Sequence, residues 1–597
     1  MKNSVISSRR SPNISSRKKW LFIVATVFIS LAILEVGSRL IEMAQRSLTE
    51  EINPYVDPSN PVNVFELKSV DGKKMYRRSS DHPLVVAGQQ FRAAKTDDTF
   101  RVFMLGGSAA AGWPHREYSI TSLLARKLRK LLPDRKIEVF NVAGGTYASH
   151  RVRFVFDEMI EYDPDLILIY SGNNEFLENF VFPSRSLPSP WRHSALVRIL
   201  HLGFRGLLQE SPPRPTFDVK NYSLADQVSN RLSYAFGKAS KYRQDPEQFR
   251  HIQQHYHYNI ESMVKGCKRR NIPVMLLNVP VNLKDWIPNV SVHRGDLSPA
   301  ELQQWQLHFR EGYVALERDE FEKAVMSLEK ATRIDDEHAE AHYHLARAKQ
   351  QLGQVEEAKK EYVKTLVRDA YPFRALPEFQ TIISEIAKSH DIPLIDIVAL
   401  LEMRAEDGIM GLDCLLDYVH LTARSQEAVA HEILKTIHGA QLLPTPLAGR
   451  IEDTRIAVPD EFEDTLTNHE QLFLAYGKLF SQALVMRQYD QLEHIHSRYI
   501  RLIRRIAQER PERVRDCRST LNLLEIIMSV IKPYRKLLRA EKLGIVEEQF
   551  SAEEATGIFA NYVELTRRIE AKEMSLEKFN RFVPESRYDS DKGDDSS

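Results

Sequence analysis

The chain has 597 residues, a length that allows several domains. Its 43% hydrophobic and 27% charged residues are typical of a globular protein and exclude a chain that is disordered throughout. The 82 basic and 81 acidic residues nearly cancel, so no overall field favours a nucleic-acid partner. Three widely separated cysteines exclude a disulfide framework.

The N-terminal segment indicates a membrane anchor. Residues 2–19 contain six lysines and arginines and no acid, and residues 20–34 carry no charge. The apolar span extends to residue 41 if Glu35 and Arg39 pair on one helical face. We therefore expect a cytoplasmic segment at 1–19, a single-pass signal anchor in the inner (cytoplasmic) membrane at 20–41, and the remainder outside the cytoplasm. A cleaved signal peptide is the alternative, but no A-x-A-like site follows the apolar run.

Strands that alternate with helices follow this segment. Residues 42–97 are polar and rich in Pro and Asn, and are interpreted as a stalk and entry segment. From residue 98 the alternation predicts an α/β fold, a three-layer α/β/α sandwich with a parallel sheet whose ligands lie at the carboxyl ends of the strands. The predicted strands are at 100–105, 137–142, 166–170, 274–279 and 393–397.

Two insertions interrupt this α/β domain, and the second divides it into parts at 98–310 and 370–440. Residues 176–250 are rich in Pro and Arg and predict a cap-like insertion. Residues 311–369 repeat with a period of 34, as in Ala324 and Ala358, which is the tetratricopeptide period. Two repeats are few for a free-standing solenoid, so we expect them to pack on the catalytic domain. Partner binding and a structural insertion both remain open as their role.

The C-terminal part of the chain has no strand pattern. Residues 441–582 show helical periodicity, and residues 583–597 are polar and are expected to be disordered. The basic stretch at 501–518 is interrupted by acidic and apolar residues. It is interpreted as a solvated helix face, which agrees with the absence of a nucleic-acid partner.

The segment Gly106-Gly107-Ser108 follows the first predicted strand and precedes a helix. A phosphate-binding loop is excluded because Trp113-Pro114 stands where Lys-Ser/Thr is required. An α/β-hydrolase nucleophile elbow is not matched either, since Ala110 replaces the second glycine of G-x-S-x-G.

Four motifs in order resemble the SGNH (GDSL-like) hydrolase family. They are the segments at 106–108, 141–146, 172–175 and 417–420, which read GGS, NVAGGT, GNNE and DYVH. Gly107 and Glu175 each replace an aspartate of the family pattern. The chain also resembles a membrane-anchored subset of this family with inserted tetratricopeptide repeats.

The resemblance implies a catalytic triad of Ser108, Asp417 and His420. An unactivated serine hydroxyl is a poor nucleophile and needs an adjacent base that a third group holds in place. The oxyanion hole is assigned to the backbone N–H groups of Ser108 and Gly145 and to the side-chain amide of Asn174. Gly144 competes with Gly145, because adjacent glycines leave the alignment ambiguous by one residue.

These motifs predict a serine-dependent esterase or acyltransferase that acts on acyl esters, with an O-acylated envelope glycan as the candidate substrate. No cofactor is implied. No metal site is expected, because the histidine pairs 251/255 and 338/342 lack the third and fourth ligands of a zinc site, and surface positions explain the second pair. The alternative is a catalytically silent envelope assembly scaffold that binds partners through the repeats and the C-terminal helices.

Overall fold

The computed structural model describes residues 63–79, 89–113, 116–145, 147–176, 246–443, 448–459, 488–509, 514–543 and 549–570, with shorter pieces at 30, 34–38, 196 and within 475–486. Residues 1–61 and 184–219 form one compact unit, and residues 62–183 and 220–597 form a second, which holds every element below. The cytoplasmic segment, most of the anchor and of the cap-like insertion, and the tail lie outside the described residues. Among the helices that are described, none is both long and apolar enough to cross a membrane.

The stalk interpretation is wrong for residues 63–79 and 89–97, which fold onto the domain. Strands β1 (Phe65–Val70), β2 (Lys73–Arg78) and β3 (Gln90–Arg92) form an antiparallel sheet. Phe65 and Phe91 pack with Phe140 of the central domain, and the Glu158 carboxylate accepts the Phe65 N–H at 2.9 Å. The sequence pattern hid these strands because their outward-facing residues are polar and only a few aromatic residues face inward.

The central sheet confirms the predicted α/β fold. Its five parallel strands lie in the order β5-β4-β6-β7-β8. Every residue of β4, β6 and β7 is buried, as expected for strands that are covered on both faces. The strands are β4 (Thr99–Gly106), β5 (Lys136–Asn141), β6 (Leu166–Tyr170), β7 (Val274–Leu277) and β8 (Leu394–Ile395).

Helices form a layer on each side of this sheet. The helices of the domain are α1 (Ile120–Leu131), α2 (Ser149–Met159), α3 (Pro246–Arg269), α8 (Pro377–Ser389), α9 (Ile397–Glu402) and α10 (Ala423–Gly439), with 3-10 turns at Ile160–Tyr162 and Glu406–Gly408. Helix α1 packs against α10, whereas α2 and α8 both pack against α3. Right-handed crossovers place these two groups on opposite faces, because the chain leaves β4 in one direction and returns past it to β6.

The inserted repeats consist of two antiparallel helix pairs, which are α4 (Pro299–Glu317) with α5 (Phe321–Ile334), and α6 (Ala339–Gln351) with α7 (Val355–Arg368). The first helix begins at residue 299, not 311, with a capping box between Ser298 and Glu301. Tyr343, Tyr362 and Leu366 belong to the hydrophobic core of the α/β domain. The prediction that the repeats pack on this domain is therefore confirmed.

The described part of the C-terminal region contains helices and no β-strand, and residues 455–459 are irregular. Its helices are α11 (Ala448–Ile451), α12 (Tyr489–Glu509), α13 (Val514–Leu543) and α14 (Ala552–Glu570), with a 3-10 turn at Glu452–Thr454. Helices α12 and α14 pack on α13, and these three share a hydrophobic core with residues from 475–484. This second core is separate from that of the α/β domain.

A buried ion pair joins α1 to α10. Lys127 Nζ lies 2.6 Å from Glu427 Oε1 and also donates to the Thr454 carbonyl at 3.1 Å. We expect Lys127→Met to destabilise the protein by up to about 3–5 kcal/mol, because Glu427 loses its close counter-charge and keeps only the exposed Arg455, whose Nη1 lies 3.6 Å away. The double change Lys127→Met with Glu427→Leu should recover most of this loss. Urea-unfolding midpoints test the pair, and a double variant as unstable as the single variant would contradict the expectation.

Candidate active site

The candidate site lies where the strand order of the central sheet reverses. Strand β4 is flanked by β5 on one side and β6 on the other, and ligands of open α/β sheets bind at the carboxyl ends of strands at such a switch point. Ser108 follows β4, Gly145 follows β5, and Asn174 follows β6. The three predicted motifs therefore meet at one edge of the sheet.

The structure brings Ser108, His420 and Asp417 together. Ser108 Oγ lies 2.9 Å from His420 Nε2, and His420 Nδ1 lies 2.6 Å from Asp417 Oδ2. Asp417 and His420 are 2% and 5% exposed, whereas Ser108 is half-buried and accessible. With the proton on Nδ1, the imidazole can accept the serine proton at Nε2. This is the arrangement that activates a serine hydroxyl as a nucleophile.

A tight turn holds the aspartate and the histidine. Asp417 Oδ1 accepts the backbone N–H groups of Val419 at 2.9 Å and His420 at 2.8 Å. The Leu416 N–H donates to the His420 carbonyl at 2.7 Å, and Asn282 Nδ2 donates to the Asp417 carbonyl at 3.0 Å. One Asp417 oxygen is thus occupied by the backbone, which leaves the other oriented toward the imidazole.

Cys414 is the cysteine nearest to this turn in sequence. It is 3% exposed, and burial raises the pKa of its thiol to about 11. A thiol with so high a pKa is almost entirely protonated near neutral pH and is a poor nucleophile. Ser108, paired with His420, is the better candidate.

Two adjacent glycines, Gly144 and Gly145, follow β5. The Gly144 N–H donates to the Gly106 carbonyl at 3.1 Å, so it is already engaged within the loops at the strand ends. Gly145 is half-buried. The choice between the two glycines stays open, and the role of Gly145 as an oxyanion donor stays a prediction.

Asn174 lies directly beside the nucleophile loop. Its Nδ2 donates one hydrogen bond to the Tyr147 carbonyl at 2.9 Å. A Cβ atom on Gly107 would lie 2.4 Å from this nitrogen and 3.1 Å from the Tyr147 carbonyl oxygen. In this structure a side chain at position 107 would therefore require the Asn174 amide to move.

Asn141 and Glu175 form hydrogen bonds that fix the segments after the strands. Asn141 Nδ2 donates to the Ala110 carbonyl at 2.9 Å, and its Oδ1 accepts the Ala143 N–H at 3.2 Å. Asn141 thus ties the nucleophile loop to the glycine loop. The Glu175 carboxylate accepts both the N–H and the Oγ–H of Ser149 at 2.8 Å, which fixes the start of α2. Neither role could be assigned from the motif alone.

The interpretation of residues 338 and 342 as surface positions is wrong for His342. This side chain is completely buried, and its Nδ1 lies 2.6 Å from Glu361 Oε2. His251 and His255 are also buried, and burial lowers the pKa of His251. Across the described ranges, no group of three or more histidine, cysteine or acidic side chains has the arrangement of a metal site.

Trp113 is a residue near the site that the motifs did not identify. Its ring centroid lies 4.7 Å from that of the His420 imidazole, in an edge-to-face arrangement. Trp113 and Leu416 also pack against the hydrophobic core of the C-terminal helices. A cavity of about 140 Å³ lies between these helices and the catalytic turn, and Leu416, Asp417 and Ile495 contribute to its lining. The sequence offered only one signal for Trp113, its position directly after the nucleophile motif.

Comparisons with known proteins give one sequence match. The tetratricopeptide repeat family model matches residues 315–369, in agreement with the predicted repeats. No curated protein sequence is significantly similar to this chain.

Solved structures that resemble this chain include GDSL-like lipases and acetylxylan esterases. A GDSL-like lipase from Bacteroides thetaiotaomicron has 12% identity and a TM-score of 0.24, with 57% of this chain and 88% of that chain covered. An acetylxylan esterase from Geobacillus stearothermophilus has 10% identity and a TM-score of 0.26, with coverage of 58% and 97%. A psychrotrophic esterase from Pseudoalteromonas has 11% identity and a TM-score of 0.23, with coverage of 58% and 99%. The first of these proteins is described as GDSL-like, the name of the family that the four motifs of this chain resemble.

Proposed function

We propose that this protein is a serine-dependent ester hydrolase or acyl transferase of SGNH type. The observation that carries the proposal is the continuous chain of hydrogen bonds from Ser108 Oγ through His420 to Asp417, at 2.9 and 2.6 Å. Ser108 and His420 are 312 positions apart in the sequence, and Asp417 and His420 are 3 positions apart. The bonds lie at the carboxyl ends of the strands, where α/β proteins bind ligands.

The geometry supports an acyl-enzyme mechanism. His420 Nε2 takes the proton of Ser108 Oγ as that oxygen attacks the ester carbonyl carbon, and Asp417 stabilises the resulting imidazolium. The carbonyl oxygen becomes an oxyanion, which the Ser108 and Gly145 N–H groups and the Asn174 amide stabilise. The tetrahedral intermediate collapses, the bond to the alcohol oxygen breaks, and His420 returns the proton to the departing alcohol.

The second half of the reaction resolves the acyl-enzyme. His420 removes a proton from water or from an acceptor hydroxyl, whose oxygen attacks the acyl carbon. The bond from that carbon to Ser108 Oγ then breaks, and His420 returns the proton to Ser108 Oγ. Water gives hydrolysis, and an alcohol gives acyl transfer. Both outcomes use the same residues, so the proposal includes both.

The proposed location is the outer side of the cytoplasmic membrane. Its support is the basic segment at 2–19 followed by the uncharged run at 20–34. An enzyme anchored there has access to the polymers of the cell envelope. An O-acylated glycan contains the ester bond on which the triad would act. We propose this class of substrate on the basis of location and chemistry.

Partner binding through the repeats is a second candidate function, favoured by the tetratricopeptide match at 315–369. The two helix pairs also have a structural role, because Tyr343 and Tyr362 contribute to the domain core. Capture of a protein partner and ester chemistry are compatible within one chain.

Labelling with a fluorophosphonate tests the proposed chemistry. These reagents phosphonylate serines that an adjacent base activates. We expect mass spectrometry to locate the adduct on Ser108 in the full chain, and we expect the adduct to be lost in His420→Ala. Ser425, whose hydroxyl donates to the Cys414 carbonyl at 2.8 Å, is an internal control that should stay unmodified. A folded protein without an adduct on Ser108 would reject the hydrolase proposal and favour the scaffold.

A further inference from the structure

Trp113 lies between the catalytic histidine and the C-terminal helices. It follows Ser108 by five residues, and its ring meets the His420 imidazole at a centroid distance of 4.7 Å and an interplanar angle of 63°. Gly112 precedes it with φ of +74°, a conformation that side chains rarely adopt. A Cβ atom on Gly112 would lie 2.2 Å from the Ser119 Cβ atom. The turn that presents Trp113 to His420 is therefore fixed against the start of α1.

The other side of this contact is formed by the C-terminal helices. Trp113 and Leu416 both pack against the core that residues such as Leu479 and Leu492 form. Leu416 directly precedes Asp417, and its N–H donates to the His420 carbonyl. The C-terminal helices therefore contact the site at two points. One is the Trp113 ring, and the other is Leu416, the residue before Asp417.

Separate contacts hold these helices on the rest of the chain. Gln488 Nε2 donates to the Ile287 carbonyl at 3.2 Å, and Gln491 Nε2 donates to the Asp285 carbonyl at 3.1 Å. Further along, Arg539 of α13 pairs with Glu317 of the repeat helix α4. The surface against which Trp113 packs is thus anchored to the loop at 285–287 and to the inserted repeats.

We propose that Trp113 is a positioning residue, through which the C-terminal helices hold the His420 imidazole in line with Ser108 Oγ. This inference rests on the proposed ester chemistry. One end of the imidazole is held by Asp417, but the bond at Nε2 is given up when the serine oxygen attacks. A packed indole restricts the ring during that step, and it excludes water from one side. Small displacements of a catalytic group cost up to about 10²-fold in rate, so the effect belongs in kcat.

The test compares four variants of the full chain in the hydrolysis of a small activated ester. Trp113→Ala should lower kcat about 10- to 100-fold with KM nearly unchanged, since a positioning role acts through the base and not through binding of the ester. Trp113→Phe, which keeps an aromatic contact, should restore kcat to within about threefold of wild type. Ile495→Ala, on the helix surface that lines the cavity with Leu416, should lower kcat in the same direction by a smaller factor.

Ile526→Ala is the matched control on the C-terminal helices. This residue is 50% exposed on α13 and should leave kcat unchanged. Wild-type kcat in Trp113→Ala, or a change confined to KM, would overturn the positioning role and leave the triad intact. A Trp113→Phe variant as impaired as Trp113→Ala would do the same if circular dichroism shows both to be folded. Absence of both turnover and Ser108 labelling in the wild type would instead reject the ester chemistry itself, and this inference with it.

Discussion

Replacing Asp417 with asparagine is expected to lower kcat about 10⁴-fold, with little change in stability. The asparagine oxygen can still accept the Val419 and His420 N–H groups, which lie 2.9 and 2.8 Å from Asp417 Oδ1. The amide nitrogen would then face His420 Nδ1 and donate a hydrogen to it. This forces the imidazole proton onto Nε2, where it can no longer accept the proton of Ser108.

Steady-state hydrolysis of a small ester, together with thermal unfolding, measures this effect. Asp413→Asn is a matched control, because Asp413 Oδ1 also accepts two backbone N–H groups in the same loop, at 2.9 and 3.1 Å. That change should leave kcat within a few-fold of wild type. Equal losses in the two variants would show that loop integrity, and not the imidazole tautomer, determines the rate.

Asn174→Ala should lower kcat by about 10²–10³, which is typical for the loss of one oxyanion donor. Its Nδ2 carries two hydrogens, and one is donated to the Tyr147 carbonyl at 2.9 Å. The other is assigned to the oxyanion, because this nitrogen lies against Gly107, immediately before the nucleophile. The charge develops only in the transition state, so KM should change little.

The neighbouring Asn173 discriminates this assignment from a shift by one residue. Asn173 Oδ1 accepts the Ala375 N–H at 3.1 Å, a contact that fixes the segment before α8. Asn173→Ala should therefore lower the free energy of unfolding, and it should lower kcat less than Asn174→Ala does. A larger fall in kcat for Asn173→Ala than for Asn174→Ala would mean that the oxyanion donor is misassigned, and rate measurements on both variants decide the question.

The strands of the central sheet could be predicted because their pattern is local. Strands that are buried on both faces are continuous apolar runs, such as β6, and no partner needs to be known to recognise them. The carboxyl ends of parallel strands lie at one edge, so motifs at those ends converge even when Ser108 and His420 are 312 residues apart. The order of the motifs therefore predicted which residues meet.

Elements with a mixed surface were harder to predict. Strands β1 and β2 bury few of their residues, so their average composition is that of a polar linker. The first repeat helix was placed too late because its apolar contacts, Trp305 and Phe309, lie upstream of the residues that show the period of 34. In both cases only a few inward-facing side chains form the apolar contacts. A composition averaged over many residues does not reveal them.

Periodicity predicted the α/β class and the inserted repeats, because it is a property of the chain alone, and the resemblance of the four motifs to the SGNH family implied the candidate triad. The folded structure was needed to show that His342 is buried beside Glu361, that the Asn174 amide lies against Gly107, and that Trp113 contacts His420. These facts depend on which distant surfaces pack together. A helical or strand pattern specifies which face of an element is buried, but it does not specify the neighbour that buries it.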